Sequence, residues 1–404
     1  MKTIFYISYD GLLEPLGSSQ VKQYLLLLAK QYRIVLLSYE RQSDLEDTEN
    51  VRNAEESLRL ASIEWIRLRY HKRLSLVSTT WDISQGVYVG FRTHLRHGID
   101  LVHARSYVAA TIALLLKKLL RIPYLFDMRG LWVDERVDGG IWKPHSRKFR
   151  VAKNIERHLV NRASALVSLT HKVKLWLIKS GMARESLIHE VIPTCVNLDA
   201  FHPVVDKKKK SNNKKKITIG YFGNVSTWYQ FDKTILFFRH LLLRYPDSVL
   251  KIVNRGDHKK VECMLFENGI RNSQYTLDEK RYEEMPEEIS SVDISVFFIK
   301  PAFSKIASMP TKLGEILACG IPCITNDGIG DVAEVLTDSN VGLILNVDNI
   351  REMDLVIEKL ETFLSDSDLH DRCRRVAEEK FSVSDGAKKY HDIYKRLLSI
   401  EGKN

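Results

Sequence analysis

One stretch constrains this chain more than any other: DISVFFIKPAFSKIASMPTKLGEILACGIPCITNDGIGDVAE, from Asp293 to Glu334. Ile294 to Phe298 is a continuous apolar run, short enough for a strand buried on both faces. A polar loop with Lys300, Lys305, Ser308 and Thr311 leads past Pro310 into a segment of helical spacing, Lys312 to Cys319, with Leu313, Ile316 and Leu317 apolar. Gly320 stops that helix and Ile321 to Thr325 restarts a strand. A helix that follows a strand turns its free N–H groups toward the carboxyl edge of a parallel sheet, where anions such as phosphate bind. Lys300, Lys305, Ser308, Thr311 and Lys312 are donors before or within its first turn. Glu315 lies about one turn further in, where a carboxylate can accept hydrogen bonds from ribose hydroxyls. Phosphate donors beside a hydroxyl-binding acid suggest a nucleotide site; an ordinary strand–helix–strand unit with a solvated loop is the plainer reading.

The same alternation runs along the chain. Strands are expected at Thr3–Ser8, Arg33–Tyr39, Ile63–Leu68, Leu101–Ala104, Tyr124–Met128 and Ala165–Ser168, with helical segments between them. Ile217–Phe222 opens a second series, followed by Val249–Val253, Ile294–Phe298, Ile321–Thr325 and Gly342–Leu345. Strands alternating with helices argue parallel, doubly wound sheets, and 404 residues suffice for two such domains. Ligands in such sheets sit beyond the carboxyl ends of strands. That rule selects the PLGSS turn with Gly17 and Ser18, the segment His103 to Ser106, and Asp127 to Gly130 in the first half. In the second it selects Gly223 and Asn224, and the Asn254-Arg255-Gly256 turn. Asp127, Arg129, Asp134, Glu135 and Arg136 cluster just after a strand; a structural salt-bridge network is the alternative to a site.

Charge and cysteine content bound the rest. Net charge is +10, and without the seven lysines of the run from Lys207 to Lys216 it falls to +3. That run reads as a solvated linker, a membrane-surface patch or a nucleic-acid arm, the linker first and nucleic acid last. A second basic segment, Trp142 to Arg162, reads as a solvated helix or as a face for anionic lipid headgroups. The five cysteines show no metal-ligand spacing, no apolar run reaches the ~18 residues of a membrane span, and the N-terminus is not signal-like. A cytoplasmic, reducing compartment is the expectation.

PTKLGEILACGIPCITNDGIGDVAE resembles the donor-sugar segment of glycosyltransferase family 4, retaining enzymes of the GT-B fold. The family's pattern is Glu, seven residues, Glu, a small-residue helix, then Gly-x-Pro and a strand. Glu315 matches the second Glu, the ribose ligand, whereas the first falls on Ala307, as in relatives of the P-x-K-x-x-E type. VIPTCVNLDAFHP, from Val191 to Pro203, resembles the stretch that closes the family's N-terminal domain. The resemblance implies two Rossmann-like domains facing a cleft: 1–203, with a final helix from 381 to 404 crossing back to it, and 217–380, joined by a lysine-rich linker at 204–216. It implies transfer of a sugar from a UDP- or GDP-sugar to an acceptor hydroxyl of a glycan or lipid-linked glycan, in the synthesis of bacterial-type surface polysaccharide. Gly17, Ser18, Gly223, Asn224, Arg255, Lys300, Lys305, Ser308, Thr311, Lys312 and Glu315 are then donor ligands. Arg129 stands about where the family has a histidine, and Asp127 is the candidate to take the acceptor proton. Asn224 replaces a family arginine, and Trp228 or Tyr229 stands near the family lysine, so Lys300, Lys305 and Lys312 are expected to supply the missing charge. No Asp-x-Asp motif stands where a divalent ion would sit, so no metal or cofactor is expected. With no positioned carboxylate nucleophile, a front-face route follows, the leaving diphosphate helping to deprotonate the acceptor. Other classes remain: a sugar-nucleotide epimerase of the same fold, or a binding protein that kept the fold and lost the chemistry.

Overall fold

The computed structural model describes residues 1–71, 75–204 and 216–401. The lysine run, apart from Lys216, lies outside the described residues. The chain divides into two units, Met1–Pro193 with Val383–Asn404, and Thr194–Ser382.

The first unit is built on seven strands: β1 (Thr3–Ser8), β2 (Arg33–Glu40), β3 (Glu64–Arg69), β4 (Leu101–Arg105), β5 (Tyr124–Asp127), β6 (Ala165–Ser168) and β7 (Ile188–Val191). All pair in parallel, in the order β3-β2-β1-β4-β5-β6-β7. The central strands are buried along their whole length, which is why they read as mostly apolar runs broken by buried polar residues such as His103, Arg105 and Asp127. The edges read differently. In β3, EWIRLR, and β7, IHEV, apolar and polar residues alternate, as expected where one face is solvated. β7 escapes a search for apolar runs for that reason.

The final helix, Val383–Glu401, belongs to this unit. Its Tyr390 donates to Asp127 Oδ2 at 2.9 Å, Tyr394 bonds His103 Nδ1 at 2.6 Å, and Lys389 donates to the Val191 carbonyl at 3.1 Å. The preceding helix, Leu369–Phe381, stays with the second unit, and the extended Ser382 separates the two.

The second unit carries β8 (Thr218–Phe222), β9 (Val249–Val253), β10 (Tyr275–Asp278), β11 (Ile294–Val296), β12 (Cys323–Thr325) and β13 (Gly342–Ile344). They also pair in parallel, in the order β10-β9-β8-β11-β12-β13. The polar edge strand β10 is absent from the sequence expectation for the same reason as β7.

The division falls after Pro193, not after residue 203 as expected. Hydrogen bonds explain the shift. Thr194 Oγ1 donates to the Met309 carbonyl at 2.9 Å and Val196 N to the Phe381 carbonyl at 2.7 Å. Arg374 donates to the carbonyls of Phe201 and Leu198 at 2.7 and 3.3 Å. The segment after Pro193 is thus tied into the second unit.

Each sheet has one point where strand order reverses: between β1 and β4 in the first unit, and between β8 and β11 in the second. The loops leaving these paired strands diverge to opposite faces and open a crevice at their carboxyl ends.

Candidate active site

In the second unit the crevice is bounded by the loops after β8 and β11. These loops are stitched together: Lys300 N donates to the Trp228 carbonyl at 2.8 Å and Gln230 N to the Phe298 carbonyl at 2.9 Å. Asn326 fixes the far side, accepting from Ile299 N at 2.8 Å and donating to its carbonyl at 2.9 Å. Gly223, directly after β8, has φ +107°, a conformation L side chains rarely adopt, and an added Cβ would meet Lys312 Nζ at 3.1 Å.

Lys312 and Glu315 share one face of the helix Thr311–Ala318, being three residues apart. No side chain caps this helix, because its N-cap is Pro310. Lys312 Nζ is enclosed with no hydrogen-bond partner. It lies 3.8 Å from the Tyr229 ring centroid, with Tyr221 and Phe297 at 5.3 and 5.4 Å. Burial pulls its ammonium down to about 7, against the pull of Glu315. Burial likewise pushes the Glu315 carboxyl up to about 7, against Lys312. Lys305 is buried, its ammonium 3.7 Å over the Trp228 ring. The aromatic pair Trp228-Tyr229 therefore holds both lysines by cation–π contact. This role is not visible in the sequence, where the pair reads only as the loss of a charge.

The remaining second-unit candidates stand apart from that cluster in different degrees. Lys300 is exposed, and Ser308 and Thr311 are half-buried beside the helix start. The Asn224 side chain closes its own turn, accepting from Ser226 N and Oγ at 2.7 and 2.8 Å. Arg255, beyond β9, is 80% exposed and 3.4 Å from Glu279.

In the first unit, Gly17 is buried, and a Cβ there would come within 2.0 Å of the Gly11 carbonyl oxygen. The glycine thus lets the loop after β1 cross over the start of a π-helical turn, Gly17–Lys22, that runs on into the helix Gln23–Leu28. Ser18 is half-buried on that turn. The same loop is pinned by Glu40 at the end of β2, which accepts from Leu12 N at 2.8 Å, Leu13 N at 3.3 Å and Ser38 Oγ at 2.5 Å. Glu40 was not singled out in the sequence; the signal was an acid closing an otherwise apolar strand.

Asp127 and Arg129 do come together, with two residues from β4. Asp127 is almost wholly buried; Arg129 Nη1 lies 3.7 Å from it, Arg105 Nη1 3.9 Å and His103 Nε2 3.7 Å. Burial alone would raise the Asp127 carboxyl, but Arg129, His103 and Arg105 outweigh it and hold it at about 2. Burial lowers His103 below its ordinary value, against the pull of Asp127. Asp134 belongs elsewhere: Lys153 donates to it and to Glu156, each at 2.5 Å, and Tyr107 donates to Glu156 at 2.5 Å. That part of the charged cluster is a packing network behind the loop.

Two family models match this chain, one on each unit: a glycosyl transferase 4-like domain over residues 23–193 and glycosyl transferases group 1 over residues 205–380. The chain belongs to the GT-B glycosyltransferases. A Haemophilus influenzae protein described as an uncharacterized glycosyltransferase is 24% identical over 242 residues, 56% of this chain. The chain spans 62% of that relative's length. An uncharacterized 41.2 kDa protein from the cps region of Klebsiella pneumoniae is 22% identical over 315 residues, covering 73% of this chain and 78% of the relative. Among solved structures, the Anabaena protein HepE in complex with UDP and glucose shares the fold, with a TM-score of 0.68 over 98% of this chain and 100% of that one, at 16% identity. Among the described residues of this glycosyltransferase, no helix is long and apolar enough to cross a membrane.

Proposed function

We propose that this glycosyltransferase moves a sugar from a nucleoside diphosphate sugar, UDP or GDP, to an acceptor hydroxyl with retention of anomeric configuration. The observation that carries the reading is Lys312. An enclosed ammonium with no hydrogen-bond partner among the described residues stands in the β8/β11 crevice against Gly223, on the face of the helix that also bears Glu315. A diphosphate is the anion such a group lacks, and Glu315 then accepts from the ribose hydroxyls. The UDP held by the Anabaena protein supports the donor class.

Chemistry follows from the charges. As the glycosidic bond to the diphosphate breaks, negative charge grows on the leaving oxygens, and Lys312 with the uncapped helix N-terminus stabilises it. No divalent ion is needed for that step. Asp127, held at about 2, is too weak a base to take the acceptor proton at neutral pH. The departing diphosphate is the better acceptor, and Asp127 serves as a fixed counter-ion. The reading extends to surface-polysaccharide or lipid-linked glycan acceptors at the cytoplasmic face of a membrane. It is supported by the cps-region relative, and by a basic helix, Arg147–Arg162, that exposes Val151 and Ile155.

A thermal-shift panel of UDP, GDP, ADP and CMP with their sugars, run with and without EDTA, tests the donor. Ligands that bind only the native state raise Tm by mass action. UDP or GDP compounds alone should do so, equally with EDTA. No shift with any of them would sink the transferase reading in favour of a fold that has lost its chemistry.

A further inference from the structure

The first unit holds a second cluster of buried cations, apart from Lys305 and Lys312. Arg105 ends β4, next to the β1/β4 reversal, and Arg129 follows two residues after Asp127, the end of β5 that pairs with Arg105. Both guanidinium groups are at least nine-tenths buried, with side-chain exposures of 5% and 10%. Their surroundings are nearly without hydrogen bonds. Arg105 Nε lies 3.8 Å from Asp10, and neither arginine comes nearer than 3.7 Å to Asp127. Arg129 Nη2 reaches Gln20 Oε1 at 3.4 Å. Among the described residues, Arg105 Nε, Arg129 Nη1 and Asp127 Oδ1 are enclosed without a hydrogen-bond partner. A guanidinium carries five N–H donors in a planar fork, and leaving them unmet in a buried site is costly unless something else meets them.

The backbone beside the pair is also strained. Ser106 and Arg129, the residues after these strand ends, both have left-handed φ, 73° and 58°. Non-glycine residues in that region are strained, and such strain concentrates at ligand sites. The titratable groups facing the pair are Asp127, the half-exposed Asp10 and His103, which burial lowers. Two permanent cations thus meet one fully buried anion beyond hydrogen-bond distance, while Asp127 Oδ2 takes its hydrogen bond from Tyr390 instead.

We propose that the acceptor carries an anionic group, a phosphoester or a carboxylate, gripped between Arg105 and Arg129 close to the hydroxyl that receives the sugar. Forked guanidinium groups match the oxygens of either group bidentately. Asp127 keeps the two cations from repelling each other while the crevice is empty. The proposal rests on the transferase reading, because it names the acceptor that reading leaves open.

The test separates the two. Thermal shifts of the full chain are read with glucose 6-phosphate, glucuronate and glucose at matched ionic strength, and with UDP, for wild type, Arg105→Gln and Lys312→Met. At least one anionic sugar should raise Tm above the glucose control in wild type and Lys312→Met, and not in Arg105→Gln. Which of the two does so names the group. UDP should still shift Arg105→Gln, which also reports that this variant is folded. Anionic sugars no better than glucose in wild type would overturn the proposal while a UDP shift left the donor reading standing. Loss of their effect in Lys312→Met with retention in Arg105→Gln would also overturn it. If UDP fails but the anionic sugars act through Arg105, the donor reading falls instead. Should Arg105→Gln not fold, Arg105→Lys keeps the charge without the fork. It should bind the responding sugar roughly tenfold more weakly, and unchanged affinity would overturn the proposal.

Discussion

The two units place cations at the same topological point and treat them in opposite ways. In the first, Arg105 and Arg129 flank a buried carboxylate that is held ionised. In the second, Lys312 is wrapped in aromatic rings, and the neighbouring Glu315 is itself pushed toward its neutral form. The side chains dictate the difference. Arginine cannot lose its proton, so an empty crevice must keep a counter-ion beside it. A buried lysine can discharge, so its crevice needs none, and an arriving anion draws the lysine toward its charged form. The first arrangement is rigid and always charged; the second responds to its ligand.

The largest effect should come from breaking the rigid side. Asp127→Asn leaves two enclosed guanidinium groups without an anion and should cost about 3–5 kcal/mol of stability, read as a fall in Tm or denaturation midpoint. The matching pH dependence has a definite sign. A carboxyl depressed in the folded state contributes stability present above its unfolded value near 3.8 and lost as pH falls through about 2. In the variant that acid-dependent part should disappear. A variant as stable as wild type would mean that the arginines do not depend on Asp127. The responsive side should behave differently. Lys312→Met keeps the shape and the aromatic contacts, so stability should hold or rise, while donor affinity and kcat/KM fall about 100-fold. Wild-type donor affinity should also weaken as pH rises through about 7, because diphosphate binding requires the protonated lysine. Repeating the titration in Glu315→Gln isolates the lysine, since Glu315 titrates in the same range. Titration calorimetry with the nucleotide chosen by thermal shift decides both. A pH-independent affinity would place the diphosphate away from Lys312.

How much of this was legible in the sequence follows a physical line. Both sheets and most strands showed, because a strand buried on both faces must be apolar throughout, as Leu101–Arg105 and Tyr124–Asp127 nearly are. The polar edge strands Ile188–Val191 and Tyr275–Asp278 did not, since half-solvated pairs carry no such run. At the site, residues on one local element were found together: Lys312 and Glu315 share a helix face, and Asp127 and Arg129 share a loop. The strand-end rule picked out His103 to Ser106 and Asp127 to Gly130 separately, but contacts between residues far apart in sequence were not visible. Arg105 and His103 reach Asp127 only through the pairing of β4 with β5, and Tyr390 only through the returning final helix. Trp228 and Tyr229 were weighed as a missing charge, and their use as platforms for two distant lysines needs the loops after β8 and β11 to meet.

The smallest expected effect sharpens the comparison from outside the second crevice. Arg255 follows a strand end and carries the charge a phosphate wants, so strand-end reasoning ranks it with Lys312. Yet it follows β9, one strand away from the β8/β11 reversal, and its guanidinium is 80% exposed, paired loosely with Glu279 at 3.4 Å. An exposed pair at that distance adds at most a few tenths of a kcal/mol, and a solvated arginine forgoes little hydration when no ligand is near. Arg255→Ala should therefore change donor KM less than about twofold and leave Tm unmoved. If KM instead rose tenfold with kcat unchanged, the loop after β9 would have to fold over the diphosphate. The responsive crevice would then contain a permanent cation as well, and the contrast between the two units would reduce to the single buried carboxylate, Asp127.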